Sequence, residues 1–240
     1  MVDLRALERE ALRVYGRYAA EVVEALGFCP WARQARQEGR VQPRVLTLEA
    51  PEPAAVLAVL AELEASEKTE IGLLIFPRLP LGRRAFARFV AELREADTAR
   101  HGGRRPPFAL ADFHPEVEAD TRSAERLVPF IRRSPDPTVQ AVRHSALSSV
   151  RLSEDSGTRF VDPGRLLDGP LEALKLPGEP LSRRVARANL RTVEALGVER
   201  VRTLTDGIIE DRDRSYARLG IDPPPWRKAP DGAPDTCAKV

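Results

Sequence analysis

The chain is poor in the residues from which the commonest chemical sites are built. Its 240 residues hold two cysteines, Cys29 and Cys237, far apart and in unlike contexts. That spacing excludes a disulfide framework and any structural zinc cluster of familiar pattern, and it leads one to expect a reducing, cytoplasmic setting. Histidine is limited to His101, His114 and His144, so any imidazole chemistry has few carriers. Long apolar runs are absent: the longest, Ile71 to Phe76, is far too short to span a bilayer. Asp3, Glu8 and Glu10 interrupt the first apolar residues, which argues against a signal or transit peptide. Lysine is scarce as well, since every basic residue except Lys68, Lys175, Lys228 and Lys239 is arginine. The 38 basic residues face 36 acidic ones. Pairs such as Arg104-Arg105, Arg132-Arg133 and Arg183-Arg184 lie among acids with no aromatic stripe beside them, unlike a nucleic-acid-binding face.

What is there is a regular first half. Leu4, Leu7, Ala11, Tyr15, Tyr18, Val22 and Leu26 recur at three or four residues, the period of one helix face, with Asp3 as N-cap and Gly27 just past the end. Pro30 suits the first position of a new short helix that Gly39 closes, which puts Cys29 at its N-cap. Residues 40–48 read as a strand, 52–66 as a helix, 70–77 as a strand covered on both sides, 82–97 as a helix and 108–113 as another buried strand. This alternation predicts an α/β domain over residues 1–220, with a small, mostly parallel sheet of three to four strands flanked by helices. A ferredoxin-like α+β arrangement is the alternative. Residues 138–150 fit helix or strand equally. Residues 151–180 hold too many breakers for long elements, 181–197 make a helix capped by Ser182, a further helix falls near 208–219, and the proline-rich 221–240 reads as a disordered tail.

Three constellations carry chemistry. Cys29, in Gly27-Phe28-Cys29-Pro30-Trp31-Ala32, would sit near unsatisfied backbone N–H groups that favour the thiolate, with Arg33 and Arg36 adding positive charge. Its competing role is a small buried hydrophobe. Ala32 stands where a thioredoxin-type motif needs a second cysteine, so a two-cysteine redox cycle is excluded there. His114 follows a buried strand and precedes Pro115. That is the sheet edge where ligands bind in α/β folds, which makes it a candidate acid or base; the alternative is a strand-end hydrogen bond. Asp112 could orient it or share a metal with it. In the turn 132–138, Pro135 and Pro137 would hold Arg133 and Ser134 in fixed directions suited to capturing a carboxylate or phosphate. Arg143 and Asn189 are further polar groups that need partners if buried.

Taken together, "LGFCPWA" (26–32), "FHPE" (113–116), "RSPDPT" (133–138) with Arg143 after it, and "NLRTVEALG" (189–197) stand in the order and spacing of a bacterial family, domain of unknown function 1415, which this chain resembles over about residues 10–150 and 181–200. The resemblance implies that Cys29, His114, Arg133, Arg143 and Asn189 are the family's polar motif residues. Gln140 stands where the family is expected to show histidine, and His144 where it is expected to show glutamate. The family brings no established reaction and names no cofactor.

Two readings follow. In the first, the chain is an enzyme with Cys29 as nucleophile, His114 as general acid or base, and Arg133, Ser134, Arg143 and Asn189 binding a small anionic substrate. In the second, the same residues form a non-catalytic anion-binding or metabolite-binding module. A docking role for Trp226 and the tail is a third. No membrane or nucleic-acid partner is expected, and the oligomeric state is not read.

Overall fold

The computed structural model describes residues 2–29, 32–146 and 181–227. They form α1 (Leu4–Tyr18), α2 (Ala32–Gln37), β1 (Val41–Val45), α3 (Pro53–Ala65), β2 (Ile71–Ile75), α4 (Arg83–Arg100), β3 (Phe108–Phe113), α5 (Ala124–Ile131), β4 (Thr138–Arg143), α6 (Leu181–Leu196) and α7 (Val198–Arg218). A π-helical segment, Ala19–Glu24, extends α1, and a 3-10 turn lies at Pro225–Arg227. The expectations for 151–180 and for the tail beyond 227 fall outside the described residues.

Local chemistry explains the first element. Asp3 accepts hydrogen bonds from the N–H groups of Arg5 and Ala6 and so caps α1. The π segment widens the helix end: the Ala25 and Phe28 N–H groups reach back five residues to Ala20 and Val23, at 3.1 and 2.9 Å. Gly27 then takes φ 68°, a left-handed conformation that costs glycine little, and the chain turns toward Cys29.

The four strands lie in the order β1-β2-β4-β3. The expectation of a mostly parallel sheet is corrected: β1 pairs with β2 in parallel, whereas β4 is antiparallel to both β2 and β3. The ferredoxin-like alternative, a purely antiparallel sheet, is excluded by the β1–β2 pair. The reason lies in residues 114–137. They leave β3 and return through α5 to the same sheet edge, so β4 must run backwards and fills the slot between β2 and β3.

Helices cover both sheet faces. Ile71, Leu73 and Ile75 of β2 point into a core with α1, α5, α6 and α7, while Leu74 joins α3 and α4 on the other face. Every residue of β2 is buried, as its unbroken apolar run predicts. Gly72 permits close contact of α3, because a Cβ there would stand 2.6 Å from Leu63 Cδ1. The crossovers through α3 and α4 advance in one direction across the sheet and lie on the same face. Hence the ends of β1, β2 and β3 and the start of β4 share one edge, where Leu46, Phe76, His114 and Pro137 meet. Among the described residues no helix is long and apolar enough to cross a membrane.

Candidate functional site

Cys29 carries a thiol and is half-buried. Its turn is pinned from behind: the Asn189 amide of α6, itself buried, donates to the Phe28 carbonyl at 3.2 Å. Ahead of it, the Ala32 N–H donates to the Cys29 carbonyl at 3.2 Å. Arg33 and Arg36, expected to lend charge to the thiol, are spent on Glu24 instead, with Arg36 donating to it at 2.7 and 2.9 Å. Two buried phenols of α1 feel the charge of Cys29. Tyr15 and Tyr18 of α1 pack edge to face at 5.7 Å, and the Tyr18 hydroxyl donates to the Ile131 carbonyl at 2.8 Å. Burial pushes both phenols well above the usual tyrosine range, and the Cys29 thiolate charge adds to the rise at each. At Tyr18 the nearby Arg132 guanidinium opposes it.

The turn after α5 separates two adjacent arginines. Arg133 is fully engaged: it donates to the Pro115 carbonyl at 2.9 Å and to Thr205 Oγ1 at 2.7 Å, and pairs with Asp206 at 2.6 Å. Arg132 instead lays its guanidinium over the Phe113 ring, with Cζ 5.5 Å from the ring centre. Burial pulls its pKa down, and the Asp112 carboxylate and Tyr18 pull the other way. Ser134 is fully buried and donates to the Asp136 carbonyl at 2.6 Å, which closes the turn.

His114 is buried against Phe86 and Trp226, with ring centres at 5.8 and 5.1 Å. Both ring nitrogens are used by the backbone. Nδ1 accepts from the Glu116 N–H at 3.1 Å, so Nε2 carries the proton and donates to the Leu81 carbonyl at 3.0 Å. Burial lowers its pKa to about 4, which keeps the imidazole neutral at physiological pH. The Asp112 carboxylate meets Arg94 at 3.5 Å.

Arg143 lies at the other end of the sheet. The register sets it opposite Phe108, whereas Thr138 pairs with Phe113 next to His114. Five strand steps separate those edges by about 17 Å. There Arg143 donates to the Thr69 carbonyl at 2.8 Å and to the carbonyls of Leu63, Glu64 and Ser66, closing the C-terminus of α3. Among the described residues, Glu64, Asp97 and His101 bring three potential metal-ligand atoms within 4.8 Å of one another on α3 and α4. Arg100 donates to both carboxylates there, at 2.6 and 2.7 Å, and neutralises them. The structure therefore joins the turn of Cys29 to Asn189, groups His114, Arg133 and Ser134 around the end of β3 and the turn after α5, and leaves Arg143 at the other end of the sheet.

Residues 13–156 match the family described as a protein of unknown function (DUF1415). That span is more than half of the chain. The chain belongs to this family. No curated protein and no solved structure matches it. Three of the polar positions discussed for DUF1415, namely Cys29, His114 and Arg133, lie inside the matched span, as does Arg143, while Asn189 lies beyond it.

Sequence reasoning missed a deeply buried polar cluster that ties Asp136, inside the DUF1415 span, to two residues beyond it. Asp136, fully enclosed, accepts from Arg212 Nε at 2.9 Å and from the Tyr216 hydroxyl at 2.7 Å. Arg212 also donates to the Pro77 carbonyl at 3.1 Å and stacks over the Tyr216 ring at 4.2 Å. This clamp locks the Pro135-Asp136-Pro137 turn to α7 and to the end of β2. The available signal was an aspartate held between two prolines, which is costly to bury unless paired. Tyr15 and Tyr18 carried a signal too, three residues apart on the helix face that ends at Cys29.

Proposed function

We propose that the chain is a thiol-dependent enzyme in which Cys29 acts as nucleophile on a small anionic molecule. The observation that carries this reading is the half-buried Cys29 thiol set against Tyr15 and Tyr18. A thiolate there has neutral phenols within electrostatic reach and is only partly hydrated, a setting in which hydrogen-bond donors stabilise charge more than they do in water. Tyr18 spends its hydroxyl on Ile131, and we assign the sulfur to Tyr15, whose buried phenol feels the Cys29 charge. Asn189 acts as a positioning residue, fixing the turn through Phe28. In this reading His114, Arg133 and Ser134 hold the sheet edge in shape and Arg143 holds α3, because their polar atoms already have protein partners.

Those engaged partners also favour a second reading, a non-catalytic metabolite-binding module in which Cys29 is a structural filler. Alkylation separates the two. With Cys237→Ser as background, Cys29 should react with iodoacetamide at neutral pH faster than a thiol of the urea-unfolded chain, and Tyr15→Phe should slow it. A folded-state rate equal to or below the unfolded one would remove the nucleophile role and leave the binding module.

A further inference from the structure

We infer that residues 221–227 form a latch over the carboxyl edge of the sheet, with Trp226 as the cover of His114, and that release of this latch bares His114 at the rim of a cleft. The inference is independent of the thiol reading, since it concerns the end of β3 and not the Cys29 turn. The sequence offers Trp226 as an outward docking residue, whereas the structure turns it inward. Its indole lies 5.1 Å from the His114 imidazole, which rests in turn on Phe86 at 5.8 Å. Close approach is allowed by Gly82, where a Cβ would stand only 3.8 Å from the Trp226 Cβ. Pro223, Pro224 and Pro225 stiffen the strap, and a 3-10 turn over Pro225–Arg227 aims the ring, with the Arg227 N–H donating to the Pro224 carbonyl at 2.8 Å. Under this cover His114 is 2 % exposed.

Two features make the cover removable. The Trp226 Nε1–H is enclosed and meets no acceptor, so closure leaves unpaired a donor that water would satisfy in the open state. The end of the strap is tied by the ion pair of Arg227 with Asp213 at 2.5 Å, whose side chains are 31 % and 25 % exposed. A pair so placed holds loosely and is screened by salt. What lies beneath gives the opening a use. Ligands in α/β folds bind outside the carboxyl ends of the strands, and here Glu118, Asp120 and Arg122 of the loop that continues from His114 line a cleft of about 690 Å³ with Arg83 and Arg126. That volume suits a small metabolite. Arg83 follows Gly82, beside which Trp226 packs, so the latch sits at the border of the cleft.

Diethyl pyrocarbonate, which acylates an accessible neutral imidazole, reads the open state of the intact chain, with each histidine followed by peptide mass spectrometry. His114 is neutral near neutral pH and sealed while the latch is shut. The charged groups around it, Arg83, Asp112 and Glu116, are the same in every variant, so a change of rate reports access. His101 and His144, which follow α4 and β4 at the far end of the sheet, serve as internal controls. Wild-type His114 should react more slowly than either. Arg227→Ala should raise its rate about two- to fivefold, the scale of one partly exposed ion pair, and Arg227→Lys should restore it. Added salt should speed the wild type and leave Arg227→Ala unmoved. Trp226→Ala, which removes the cover itself, should raise the rate more than about tenfold, with His101 and His144 changed less than about twofold. A His114 rate unchanged in Arg227→Ala or in Trp226→Ala overturns the inference. An equal rise at all three histidines overturns it as well, since the whole fold would then be loosening rather than the strap.

Discussion

Asp136→Ala is the substitution with the largest effect expected on the fold. Asp136 is fully enclosed, Arg212 is 2 % exposed, and the pair meets at 2.9 Å with Tyr216 donating to the second carboxylate oxygen. Burial alone would lower the Arg212 pKa, but Asp136 and Tyr216 hold it above the ordinary arginine value. Removing Asp136 leaves a guanidinium in the interior with only the Pro77 carbonyl and the half-exposed Asp213 as partners, and strands a phenol as well. Breaking a buried pair on one side costs about 3–5 kcal/mol. For a chain of this size that corresponds to a fall in Tm of roughly 10 °C. Urea and thermal unfolding of the intact chain measure it. Tyr216→Phe, which removes a single donor to a charged oxygen, should cost about 1.5–3 kcal/mol. The double variant Asp136→Ala/Arg212→Met should recover much of the loss, because no uncompensated charge remains. A loss below about 1 kcal/mol in Asp136→Ala would refute the reasoning, since it would mean that Arg212 reaches water.

Two further outcomes follow from the same geometry. His114 has a folded pKa of about 4 against an ordinary histidine value near 6.5. The unfolded chain therefore binds this proton first as pH falls, and stability present above pH 6.5 is lost progressively down to about pH 4, by about 3 kcal/mol in all. The wild-type profile minus that of His114→Phe should show this slope, and parallel profiles would exclude it. Arg143→Met uncaps α3 and should cost about 1–3 kcal/mol in urea while leaving Cys29 alkylation unchanged; a changed alkylation rate would place Arg143 in the site after all.

The helices and β2 were legible because their signals are local. Asp3 and Gly27 mark the ends of the first helical stretch, and the run from Ile71 to Ile75 is buried on both faces as such a run requires. The direction of β4 was not legible, because strand polarity depends on how residues 114–137 travel and not on the pattern within 138–143. The helix α5 was hidden by Pro129 within it and by the prolines that follow. Cys29 was singled out by its place between Gly27 and Pro30 at a predicted helix N-cap and Asn189 by its place beside an apolar stripe, and the structure joins their surroundings through Phe28. Arg132 and Arg133 could not be told apart, since neighbours in sequence point to different surroundings once the turn is fixed. Asp136 escaped notice because its partners, Arg212 and Tyr216, are far away in the chain.

The place of β4 between β2 and β3 has a consequence for the order in which the protein can be made. Neither β2 nor β3 pairs with the other, so β3 has no neighbour, and β2 only one, until residues 138–143 arrive. A chain growing from its N-terminus thus carries two open apolar strand edges through α4, β3 and α5, with β4 as the piece that joins them. Fragments ending before Thr138 should be sticky and poorly folded, and one ending at Arg143 closes the sheet yet still leaves bare the face that α6 and α7 cover and Asp136 without Arg212 and Tyr216.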